Sequence, residues 1–167
     1  MGELLERVTR LTTRLQTALA WLPPTLARLV VGTIFVRSGW GKLHNLENVA
    51  QFFRELGIPA AEFHARFVSG TELVCGALLL AGLAARFASV PLIVILIVAM
   101  STALRDRVTS FVELFAVQEF LWAALLAVIV VFGAGPFSLD ALVGRALARS
   151  SANGVSVRTS TMEDRSR

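Results

Sequence analysis

Two glutamates and an arginine stand inside stretches otherwise almost free of charge. Glu72 falls in an apolar block from about Phe67 to Ala85, Glu119 in one from Leu114 to Ala134, and Arg37 in one from Pro24 to Gly41. An ionised group surrounded by hydrocarbon must be paired, hydrogen-bonded or neutralised. One arginine cannot neutralise two ionised acids, so a shared Arg37, Glu72 and Glu119 site would leave at least one carboxyl protonated. A protonated Glu can donate a hydrogen bond to a carbonyl ligand or relay a proton. The alternative is a structural ion pair that fixes helix register. Both readings stay open at this stage.

A second set of charges falls at the opposite ends of the same blocks: Arg28, Arg86 and Asp140, which match in depth and suggest ion pairs at that boundary. Lys42 and Glu113 stand beyond the first group, at the outer interface. Other chemistries are thinly supported. His44 and His64 lie outside the blocks, which disfavours a bis-His haem held within them. The lone Cys75 has no partner for a dithiol or a Cys-rich metal centre, and no metal site is expected. No Ser or Thr has a His base in reach of a plausible triad.

The elements that must hold these groups are apolar and helical. Hydrophobic residues make up 55% of the 167 and charged residues only 17%, against about a quarter charged in ordinary soluble domains. Mean hydropathy is +0.68. Four blocks of 18 to 21 residues, Pro24–Gly41, Phe67–Ala85, Phe87–Leu104 and Leu114–Ala134, approach the ~20 residues needed to cross ~30 Å of hydrocarbon. The third carries no charge, whereas a soluble bundle needs a polar face on every helix. The expected fold is all-α, a bundle of four transmembrane helices with flanking interfacial amphipathic helices. A Gly32 and Gly39 stripe on the first span, with Gly76 on the second, marks close helix packing; Arg37 falls nearly opposite that stripe.

Residues 1–22 place Leu4, Val8, Leu11, Leu15, Leu19 and Leu22 at helical spacing, with Arg7, Arg10 and Arg14 elsewhere on the wheel. That pattern predicts a helix lying in the membrane interface. Residues 23–148 form the membrane domain. Within it, Asn45 is expected to cap a short surface helix that Gly57 stops, and Arg86 to mark a tight turn between spans two and three. Ser138 is expected to cap a further short helix. Residues 149–167, rich in Ser, Thr and Arg, read as a disordered polar tail. The net charge is +4, and every basic residue but Lys42 is Arg, scattered between blocks rather than gathered on one face. This excludes a nucleic-acid partner and fits basic flanks beside a lipid bilayer. Counting those flanks favours cytoplasmic termini.

Several of these residues resemble a known family. Span one reads LARLVVGTIFVRSGWGKL and is followed by a Phe-rich segment ending Gly57-Ile58-Pro59. Glu72-Leu73, Gly76, Gly82 and Arg86 come next, and GAGPFSLD runs from Gly133 to Asp140. In order and spacing they resemble the DoxX family of small four-helix membrane proteins, over roughly Leu22 to Leu142. Arg28, Gly39, Lys42, Glu72, Gly76, Arg86 and Asp140 match recurrent family positions; no catalytic residue carries over. The family is named for a subunit associated with a terminal quinol oxidase or thiosulfate:quinone oxidoreductase. No cofactor is evident in the residues themselves; the resemblance implies a non-catalytic membrane subunit or anchor of a quinone-linked redox complex in the cell membrane, with a quinone-facing groove and a soluble or membrane redox protein as partner. The buried charges suggest the alternative, a small-molecule or proton carrier, which with four spans would require a homo-oligomer.

Overall fold

Proline, glycine and two left-handed alanines set the limits of the helices. The computed structural model describes residues 2–105, 111–136 and 138–145, and these contain helices and no strand. The first helix, α1 (Gly2–Leu19), ends at a turn before Pro23-Pro24. Both prolines sit in the first turn of α2 (Leu22–His44), where a missing N–H costs nothing. The short α3 (Leu46–Glu55) follows. Asn45 does not cap it; its side-chain amide donates 2.9 Å back to the Gly41 carbonyl and so closes the end of α2. Gly57, at φ 73°, turns the chain after α3.

Helix α4 (Ala61–Ala81) starts six residues before the apolar block and stops four residues short of its end. The stop is Gly82, at φ 68°, with Leu83 N–H returning 3.0 Å to the Leu78 carbonyl. This left-handed cap satisfies carbonyls that the helix leaves open. The turn is therefore Gly82-Leu83-Ala84, and Arg86 belongs to the first turn of α5 (Ala85–Ser101) rather than to the turn itself. The fourth apolar block is not one continuous helix. Val117 is extended (φ −88°, ψ 127°) and divides α6 (Phe111–Ala116) from α7 (Gln118–Phe132); its β-branched side chain suits that backbone. Residues 139–145 are helical again, and Ser138 Oγ accepts the Ala141 N–H at 3.2 Å as a cap. The expected tail, 149–167, lies outside the described residues.

Helices α2 and α4 make the most extensive interface, followed by α5 with α7. Their shared core takes Val31 and Phe35 from α2, Leu79 from α4, Leu92 and Leu96 from α5, and Leu126 and Ile129 from α7. Trp122 of α7 meets Phe35 edge-on, with ring centroids 6.4 Å apart, a favourable aromatic geometry. Outward faces are also apolar: Phe87 is 82% exposed and Phe132 69%. By length and composition α2 and α4 can cross a membrane, while α5 and α7 are shorter apolar helices.

Candidate functional site: a buried charge pair on the α2–α4 seam

Glycine lets the backbones of α2 and α4 touch. A Cβ on Gly39 would stand 2.8 Å from the Ser69 carbonyl oxygen, and one on Gly76 would stand 2.8 Å from the Val36 nitrogen. A Cβ on Gly32 would meet the Leu80 side chain at 3.0 Å. Along this series the α2 number falls as the α4 number rises, so the two helices run antiparallel. Arg28, Gly32, Phe35, Gly39 and Lys42 recur at alternating steps of four and three, and all but Lys42 are buried. That stripe is the face of α2 applied to the rest of the bundle.

At its upper end the seam holds a charge pair. Lys42 Nζ lies 2.6 Å from Glu72 Oε1, and Ser38 Oγ donates to Glu72 Oε2 at 2.9 Å. The Glu72 side chain is 3% exposed and that of Lys42 35%. Both carboxylate oxygens therefore have a partner, one of them cationic, which offsets the cost of burying an ionised acid. Glu72 sits near the middle of α4, whereas Lys42 belongs to the last turn of α2 and reaches along the seam with its long stem. Two arms, an ammonium and a hydroxyl, hold one carboxylate.

The three groups singled out in sequence are not drawn into one cluster. Arg37 lies exposed on the face of α2 away from the seam, and no ion pair joins it to the described residues. Glu119 is half-buried in the first turn of α7, where the helix dipole favours an anion. Glu113, in the first turn of α6, is exposed. Lys42, assigned from sequence to the outer interface, is the partner of Glu72. The signal was present: Lys42 continues the Gly stripe at i+3 from Gly39, and Ser38 shares that face at i−4 from Lys42.

The opposite end of the bundle uses its charges differently. No ion pair within 4.0 Å links Arg28 or Arg86 to Asp140 among the described residues. Asp140 instead caps α5: Ala84 N–H donates to Oδ1 at 2.8 Å and Ala85 N–H to Oδ2 at 3.3 Å. Its own N–H donates 3.0 Å to the Gly82 carbonyl. Arg86 Nη2 donates 3.3 Å to the Val131 carbonyl in the last turn of α7. An acid at a helix start and a base at a helix end both complement the dipole. Arg28 is buried, 4% exposed, and its guanidinium occupies the space a side chain at Gly82 would fill.

Residues 24–105 match the DoxX family model. This stretch carries α2 from Pro24 onward through α5, with the whole Lys42–Glu72 seam, and over it the chain is similar to the DoxX family. The chain is 40% identical over 75 residues to an uncharacterized membrane protein of Mycobacterium tuberculosis, covering 43% of this chain and 46% of that one. It is 36% identical over 77 residues to the Bacillus subtilis protein named "Putative oxidoreductase CatD", covering 46% of this chain and 56% of that one. The chain thus spans about half the length of the curated relatives it matches. No solved structure matches it.

Proposed function

We propose that the protein is a four-span, non-catalytic subunit that anchors a quinone-linked redox complex in the cell membrane. The observation that carries this reading is the double engagement of Glu72 by Lys42 and Ser38. A carboxylate held at both oxygens acts as a lock on the α2–α4 seam, and a locked seam suits a rigid anchor. The oxidoreductase name of the Bacillus subtilis relative supports the redox setting. In this reading α2, α4, α5 and the α6–α7 pair cross the bilayer with both termini cytoplasmic. Helix α5 has 17 residues, ~26 Å of rise, and the lipid accommodates a deficit of that size by local thinning. Val94 and Ile97 of α5 and Leu121 and Val131 of α7 face outward into the acyl region.

A second reading, an oligomeric carrier for a small molecule or proton, draws on Arg37 and Glu119, charged groups that the seam does not use. Purification of the tagged full chain from native membranes in mild detergent separates the two. The anchor reading expects a redox protein in near-stoichiometric yield, bound quinone in the complex, and loss of that protein from the membrane when this chain is deleted. Purified chain that alone moves protons or solute into vesicles, with no redox partner retained, would overturn it.

A further inference from the structure

Helix α1 lies outside the stretch that matches the family, and its chemistry differs from that of the other helices. Leu11, Leu15 and Leu19 are 60%, 59% and 50% exposed along one side. Arg7, Arg10 and Arg14 are exposed as well. At 3.6 residues per turn these arginines fall on a single shoulder of the leucine stripe. They and Leu11 line a shallow, open surface depression. Arg10 shares its charge with Glu6 at 3.1 Å, and no ion pair joins Arg7 or Arg14 to the described residues. The threonine hydroxyls of α1 turn to its own backbone: Thr13 and Thr17 donate to the carbonyls of Thr9 and Thr13, at 2.7 and 2.9 Å.

We infer that α1 is a docking arm for anionic phospholipid, seating phosphate-bearing headgroups in the Arg7, Arg10 and Arg14 depression with acyl chains along Leu11, Leu15 and Leu19. Two arguments select this occupant. Guanidinium pairs with phosphate in a bidentate fork, and cation beside apolar stripe is the arrangement an anionic leaflet complements. The second is continuity: α2 begins three residues after α1 ends, so α1 ends at the level where a span meets the headgroups, beside Trp21. The inference rests on the spanning reading of α2 only for that placement. An acidic partner protein or a second copy of the chain would present no phosphate.

The test uses the full chain in nanodiscs of phosphatidylcholine alone or phosphatidylcholine with phosphatidylglycerol, followed by amide hydrogen exchange. Exchange in α1 should slow at least ~10-fold more in the anionic discs, and added salt should reverse the difference. The Arg7→Gln, Arg14→Gln double variant should lose the lipid dependence, and the corresponding Lys variant should keep most of it. Equal protection of α1 in both lipids would overturn the inference and point to a second copy or a purely apolar contact. Absence of protection in either lipid would also overturn it. Amides of α4 in the same spectra report separately on the spanning reading: fast exchange there would defeat that reading, while the lipid dependence of α1 still decides this one.

Discussion

Removing one partner of a buried pair strands the other, whereas removing both does not. Glu72, with a 3% exposed side chain between Lys42 and Ser38, is the residue to which that rule applies. Glu72→Gln should lower stability in detergent by about 2–3 kcal/mol, a figure reduced from the fully buried case because Lys42 is 35% exposed. Lys42→Met should cost a similar amount. The Lys42→Met, Glu72→Leu double variant should recover most of the loss, giving a coupling well away from zero. Losses that simply add, measured by thermal denaturation of the purified protein, would show the two side chains acting independently. Sequence alone exposed Glu72 as an acid that needs a partner and misassigned the partner. Arg37 was nearer in depth along its block, but depth says nothing about azimuth. The azimuth was carried by the Gly stripe, which ends at Lys42.

Two helix ends in this protein are closed by residues distant in sequence. Asp140 accepts two N–H groups at the start of α5, and Arg86 donates into the end of α7. A capping carboxylate and an ion-paired one respond differently to substitution. Asparagine remains a good acceptor for a helix N-terminus. Asp140→Asn should therefore retain most of the stability, while Asp140→Ala should lose about 1–2 kcal/mol. If Asn and Ala prove equally damaging in thermal melts, charge rather than capping is what Asp140 supplies. These ends were partly legible. The Gly82 stop and the Ser138 cap follow from local residue types, whereas Asp140 meeting Ala84 is a tertiary event that spacing cannot show. The break at Val117 was harder to read, because no Gly or Pro marks it; the only local signal is Gln118-Glu119, a polar pair placed where a helix starts.

For the whole molecule, hydropathy gave the helical class and the number of apolar blocks, and the structure redistributed their limits. Sequence blocks count apolar residues, while helix ends follow backbone caps, so α4 gains polar turns at its start and yields its last apolar residues to a turn. Topology is the property most open to direct measurement. Reporters fused after Arg145 and inserted near Gly57 should lie on opposite sides of the membrane, the first cytoplasmic. Reporters on the same side would remove one span from the proposal, with the shorter α5 and the divided α6–α7 segment as the candidates that fail to cross.

The cap on α5 also imposes an order in time. The Ala84–Asp140 hydrogen bond joins residues 56 positions apart, and the acceptor lies beyond α7. A ribosome releasing the chain from its N-terminus delivers α5 with its first N–H groups open, and they stay open until the Gly-rich segment after Phe132 has emerged. The α2–α4 seam needs nothing made later than Ala81. Biosynthesis therefore yields a settled helical pair first and a provisional second pair, and the last segment described, folding back over Gly82, closes the start of α5 only when synthesis reaches Asp140.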